Sequence, residues 1–125
     1  MKFSKSLKLN HVFRRLYSKG RSAANQYLVI YCKRNGSQEN RIGLTASTKL
    51  GHAVVRNRLR RQLRAIYRTH EQEFLPGWDL VIVGRSRAIG APYQKLEMSY
   101  LSLAGKLGLL RKEAVNHEEV SSQTH

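Results

Sequence analysis

Apolar positions along this chain switch between a helical spacing and an alternating one. Val12, Phe13, Leu16 and Tyr17 recur at intervals of three and four residues between Asn10, which can cap a helix, and Gly20, which can end one. The spacing predicts a short helix over residues 11–19. Residues 27–33 then alternate, with Leu28, Ile30 and Cys32 on one side and Tyr27, Val29, Tyr31 and Lys33 on the other, the pattern of a half-buried strand. The turn-rich stretch NGSQEN leads to a second strand over 41–47, with Ile42, Leu44 and Ala46 inward, and the two strands are expected to form a hairpin.

Over 52–69 the pattern becomes helical again, with Val55, Leu59, Leu63 and Ile66 on one stripe. Pro76-Gly77 breaks the chain, and the run WDLVIVG behind it is apolar on both faces. That predicts a strand over 79–84 covered from both sides. Pro92 suits the first position of a last helix whose stripe is Leu96, Tyr100, Leu103, Leu107 and Leu110. The order helix, strand, strand, helix, strand, helix is that of an α+β protein, a two-layer α/β sandwich.

Charge adds what periodicity cannot. The chain of 125 residues holds 23 Lys+Arg against 8 Asp+Glu, a net +15, which costs self-repulsion unless a polyanion offsets it. Residues 112–125 have little to bury and are expected to be a disordered tail beside a single domain over 1–111. Setting aside Lys112, Glu113, Glu118 and Glu119 leaves 22 bases against 5 acids, so the folded part is more basic still, at +17. No apolar run of spanning length, lipidation motif or secretory signal is present, so a cytoplasmic protein without a membrane partner is expected. Cys32 is the single cysteine and reads as a reduced core residue.

The charge is concentrated on the long helix. Lys49, Arg56, Arg58, Arg60, Arg61, Arg64 and Arg68 follow one another with no acid between them. At about 100° per residue, Asn57, Arg60, Arg61, Arg64 and Arg68 fall within an arc of roughly 100°, opposite the apolar stripe, with Arg56 and Arg58 flanking it. A merely solvated face mixes signs, whereas here the i, i+4 pairs Arg56/Arg60, Arg60/Arg64 and Arg64/Arg68 all repel. A bound nucleic acid explains that cost, and arginine suits bidentate phosphate contacts. DNA is not the expected partner, since Asn57 is the one base-reading candidate on the face.

Catalysis by the chain itself is not expected. Its acids, Glu39, Glu71, Glu73, Asp79 and Glu97 in residues 1–111, fall on different elements, and its histidines show no paired spacing, so no catalytic residue and no metal ligand is assigned. His52, at the start of the long helix, reads as a capping or solvent-facing residue.

The stretch RIGLTASTKLGHAVVRNRLRRQLRAIYR resembles the signature region of the bacterial ribonuclease P protein family. Its hallmark is R-N-R, an apolar residue, K/R-R and an Arg three residues on, here Arg56-Asn57-Arg58, Leu59, Arg60-Arg61 and Arg64. LKLNHVFRRLYSKGRSAANQYLVIY and PGWDLVIVGR extend the resemblance over roughly residues 7–110. Ser47-Thr48-Lys49 stands where the family often has Ser-Lys-Lys, and His52 where Asn is common.

The resemblance implies a sandwich like the second domain of ribosomal protein S5, with a left-handed crossover through the arginine helix. It also implies the protein subunit of ribonuclease P, whose RNA subunit uses Mg2+ to cleave precursor tRNA while the protein holds no cofactor. Lys49, Arg56, Asn57, Arg58, Arg60, Arg61, Arg64 and Arg68 would contact that ribonuclease P RNA. The 5′ leader of precursor tRNA would lie in a cleft between the sheet and the first helix, formed by Phe13, Tyr17, Tyr27 and Tyr31 with Lys33 and Arg34 nearby. Spacing alone allows Phe13 and Tyr17 to be core and Tyr27 and Tyr31 to face solvent equally well. A structural RNA-binding protein of ribosomal type is the alternative that shares the charge and the sandwich.

Overall fold

The computed structural model describes residues 4–6, 10–46 and 48–111, without the side chains of 4–6, 10–13 and 48. The expected tail, 112–125, lies outside the described residues. In chain order the elements are β1 Ser4–Ser6, α1 Asn10–Lys19, β2 Arg21–Ala24, β3 Leu28–Arg34, β4 Asn40–Ala46, α2 Ala53–His70, β5 Trp78–Gly84 and α3 Tyr93–Lys106. Short 3-10 turns occupy Thr48–Leu50, Glu71–Glu73 and Ser86–Ala88.

The strands form one five-stranded sheet in the order β1-β4-β5-β3-β2. β3 and β4, expected to be a hairpin, do not pair. β5 lies between them, antiparallel to β3 and parallel to β4. The physical reason is the composition of β5: a strand buried at nearly every residue is most stable at the sheet centre, with neighbours on both edges and cover on both faces. The NGSQEN stretch therefore passes across the end of β5 instead of making a tight turn. β4 returns to its parallel neighbour β5 through α2, as a parallel pair requires.

Alternation sorts the strand residues between the two faces. Leu28, Ile30 and Cys32 of β3, Ile42 and Ala46 of β4, and Leu80 and Ile82 of β5 are buried in one cluster with α2 and α3. α2 contributes Leu59, Leu63 and Ile66, as its stripe predicts, and adds the fully buried Tyr67, while Val55 is only half-buried. Gly84 lets the helix come close: a Cβ there would sit 2.4 Å from Leu59 Cδ2. α3 brings Leu96, Tyr100 and Leu103 to the same layer, with Pro92 as its N-cap. Leu107 and Leu110 are buried as expected but lie beyond the helix, because Gly108 turns the chain at φ +73 and Leu110 then bridges to Phe74. Burial also raises the pKa of the free Cys32 thiol, against the lowering influence of Arg21, so the thiol stays protonated and inert.

The other face is covered by α1. Leu16 is buried against Val81, with Tyr31 and Val83 packed around them. β1 and β2 are short edge strands, and β2 is exposed along most of its length. No described helix is long and apolar enough to cross a membrane.

Candidate nucleic-acid interface

The outer face of α2 is built by the same periodicity that buries its stripe. With Leu59, Leu63 and Ile66 fixed on the sheet, Asn57, Arg58, Arg61, Arg64 and Arg68 must point to solvent, and all are exposed. Arg58, Arg61, Arg64 and Arg68 have no acid partner among the described residues. Arg60 donates to Asn57 Oδ1 at 2.6 Å, and Arg56 donates from Nε to the Gly51 carbonyl at 3.2 Å. Gly51, at φ +135, makes the turn from the 3-10 segment carrying the exposed Lys49 into the helix. His52 takes the N-cap position without a side-chain capping bond. The first turn holds no acid, so the positive end of the helix dipole adds to the arginine charge. The face can bind an extended anion, and its exposed arginines Arg58, Arg61, Arg64 and Arg68 meet no neutralising acid among the described residues.

A second surface lies under α1. Gly20 ends the helix directly on β3: its amide bonds to the Leu16 carbonyl at 2.9 Å, and a Cβ would meet the Leu16 and Cys32 carbonyl oxygens at 2.6 and 2.8 Å. This close approach sets Tyr17 edge-on to Tyr31, with ring centroids 4.7 Å apart and planes at 70°. Tyr17 remains 47% exposed. Partial burial, and then the neighbouring Tyr31, hold its phenol above the ordinary value, so it stays a neutral donor. Lys33 shares this open face two residues on, in a cross-sheet row with Asp79 and Arg41. Asp79 is buried and accepts bonds from Arg41 Nε at 2.6 Å and Nη2 at 2.5 Å, and from Asn35 Nδ2 at 3.1 Å.

Of the cleft residues expected from sequence, then, Tyr17, Tyr31 and Lys33 share one face. Tyr27 stands in the turn before β3 and packs against the main core. Arg34 is carried by strand alternation to the opposite face, where its guanidinium lies 5.2 Å from the centroid of the Trp78 ring. Phe13 belongs to α1 by its backbone, and its side chain is outside the described part. Arg41 was missed by sequence reasoning. Its membership of the Lys33 row follows only once β5 is known to separate β3 from β4.

Two further acids are engaged at the end of α2. His70, at the end of α2, contacts Glu73 through Nδ1 and Glu97 of α3 through Nε2 at 2.8 Å. Burial alone would lower its pKa, but the hydrogen bonds to Glu97 and Glu73 outweigh this and the net shift is upward. Among the described residues no group of three or more His, Cys, Asp or Glu side chains is placed to hold a metal ion.

Comparison with known proteins adds a family. The model of the family described as Ribonuclease P matches residues 1–108. The ribonuclease P protein component of Alkaliphilus oremlandii is 37% identical over 110 residues, covering 88% of this chain and 96% of that one. That of Natranaerobius thermophilus is 36% identical over 110 residues, with the same coverage. Among solved structures, the Staphylococcus aureus RNase P protein superposes with a TM-score of 0.78 at 29% identity, over 85% of this chain and 97% of that one. The Thermotoga maritima RNase P protein gives 0.72 at 26% identity, over 78% and 93%.

Proposed function

The chain belongs to the ribonuclease P protein family, and on that premise we propose that it binds the catalytic RNA of ribonuclease P through the outer face of α2 and the 5′ leader of precursor tRNA on the open face of the sheet. The observation that carries this reading is the exposure on α2 of Arg58, Arg61, Arg64 and Arg68, which have no acid partner among the described residues. Arg56, Arg58, Arg60, Arg61, Arg64 and Arg68, with Asn57 and Lys49, would form phosphate contacts to that RNA. The leader, a single strand, would stack a base against the exposed part of Tyr17 beside Tyr31, with Lys33 offering charge to its backbone. Tyr27 and Arg34 would act at most from outside this surface.

Cleavage in this reading belongs to the RNA, with Mg2+ held by it. The protein's part is to lower the cost of bringing two polyanions together and to hold the leader in place. None of its side chains is assigned to the chemistry.

The test is reconstitution of the purified chain with ribonuclease P RNA, measuring affinity for precursor and mature tRNA and 5′ processing at low magnesium. The complex is expected to prefer precursor tRNA, and a structural RNA binder of ribosomal type would show no such preference. Affinity for the RNA is expected to fall steeply with salt, and Arg60→Ala and Arg64→Ala each to flatten the log–log slope by about one unit. An unchanged slope would remove those arginines from the contact. Replacing every histidine by Ala is expected to leave the single-turnover rate largely intact; its collapse with binding preserved would place chemistry in the protein.

A further inference from the structure

A groove borders the arginine face without being part of it. It lies between the first half of α2 and the loop from β5 to α3, encloses about 260 Å³, and is lined by Val54, Arg58, Gln62, Ile89, Gly90 and Ala91 together with the flank of the buried stripe. Among the described residues no carboxylate lines it. Val54 is 77% exposed, an aliphatic side chain left in water at the rim. Gly90, at φ +75, presents bare backbone, and a Cβ there would meet nothing within 4 Å. The loop is fixed in place, since the Ala91 amide bonds to Ala88 O at 3.2 Å and the Ala88 amide to Arg85 O at 2.9 Å.

We propose that this groove receives one unpaired nucleobase of the RNA bound by α2. The inference rests on the reading of α2 as an RNA contact and adds to it a site of different chemistry. A base has apolar faces and a hydrogen-bonding edge. Val54, Ile89 and Ala91 offer aliphatic cover to the faces, and the Gln62 amide, a donor and an acceptor in one group, suits the edge. Arg58, exposed on the flank of the cation arc, reaches the phosphate of the same nucleotide or stacks on the outer side of the base. The volume is short of the ~300 Å³ at which pockets for drug-sized ligands begin, which favours a single heterocycle. A duplex lying on Arg60, Arg64 and Arg68 keeps its bases stacked inside and would leave the groove empty. Occupancy therefore selects a loop or bulge, where RNA displays bases for recognition.

The experiment uses the full chain and ribonuclease P RNA from the same organism. A benzophenone side chain in place of Val54 is expected to crosslink to an unpaired nucleotide, and the same side chain in place of Met98, 72% exposed on α3, to give no such product. Ala91→Leu, which fills the groove without changing charge, is expected to weaken RNA binding about tenfold while leaving the log–log salt slope unchanged. Thermal unfolding of Ala91→Leu checks that the fold is kept, and the crosslink stands independently of that variant. Two silent results beside a flattened slope in Arg64→Ala would overturn the groove and leave the α2 contact standing. A crosslink confined to paired nucleotides would overturn it as well. An Arg64→Ala slope equal to wild type would bring down the α2 reading and the groove with it.

Discussion

At the end of the molecule where β4 and β5 begin and α2 stops, charge is used to join elements. Asp79 ties the start of β5 to Arg41 of β4, and Glu73 and Glu97 hold His70, linking the end of α2 to α3. Glu39 and Glu71 are engaged too. Along the outer face of α2 the opposite holds: Arg58, Arg61, Arg64 and Arg68 stand exposed, with no acid partner among the described residues. Asp79, Glu73 and Glu97 are thus engaged in joining elements of the fold and not in neutralising the arginine face. Charge of the first kind is part of folding. Charge of the second kind costs stability in the free protein, by a few tenths of a kcal/mol per repulsive pair, and is recovered only when a polyanion binds.

The sharpest way to break this contrast lies within α2, at two adjacent residues. Leu63 is fully buried and Arg64 exposed. Leu63→Ala is expected to lose about 2–5 kcal/mol in urea unfolding, through lost transfer energy and the cavity left behind. Arg64→Ala should change stability by no more than about 0.5 kcal/mol. Its effect should fall on RNA affinity instead. If Arg64→Ala unfolded the protein comparably, the arginine face would be structural and the contrast would fail.

The next largest effect tests the partnered side. Asp79→Asn keeps the shape of the side chain but removes the charge that Arg41 grips, and the mutated residue is buried. Breaking one partner of a buried pair leaves the other uncompensated; here Arg41, partly exposed, can turn toward water, so a loss of about 2–3 kcal/mol is expected in urea unfolding. Arg61→Ala, with no such partner, should be close to neutral. Equal losses in the two variants would show that the pairing of Asp79 has no special weight.

How much of this was legible beforehand depended on whether a residue's neighbours were local. The stripe Leu59, Leu63, Ile66 and the acid-free arc opposite it are properties of one helix, and both could be read from its period. So could the two faces of β3, including the position of Arg34 across the sheet from Tyr31, had the alternation been carried one residue further. Pairing between strands was not local. Residues 27–33 and 41–47 are consecutive among the expected strands and looked like a hairpin, yet β5, more than 30 residues on, takes the place between them. The doubly apolar run WDLVIVG already carried that signal, because such a strand needs partners on both edges. β1 and β2 left less trace, being short edge strands without an apolar alternation, whose pairing rests on backbone bonds. The Tyr17–Tyr31 contact needed both kinds of information: the helix period supplied the residues, and only the landing of Gly20 on β3 supplied their distance. The contact between His70 and Glu97 spans 27 residues and has no sequence pattern at all.

That histidine gives the smallest expected effect and the most specific one, because it asks whether the partnered end responds to pH as an ionic clasp must. The folded pKa of His70 is raised, burial being outweighed by its hydrogen bonds to Glu97 and Glu73. The folded state therefore binds the proton more tightly than the unfolded chain, whose histidine titrates near ~6.5. The resulting stability is fully present below that unfolded value and is lost as pH rises through the higher folded one. Glu73 is partly exposed and the pair lies at a helix terminus, so the contribution should be under about 1 kcal/mol, within the range of surface pairs and C-terminal helix charges. In urea unfolding the gap between wild type and His70→Gln should be widest near pH 6 and narrow on the alkaline side. Arg64→Ala measured over the same range should give a flat difference, because an arginine stays charged throughout. A gap for His70→Gln that widened with pH would mean that the neutral imidazole makes the stabilising contact, and the charge assigned to this end of the molecule would then rest on Arg41 and Asp79.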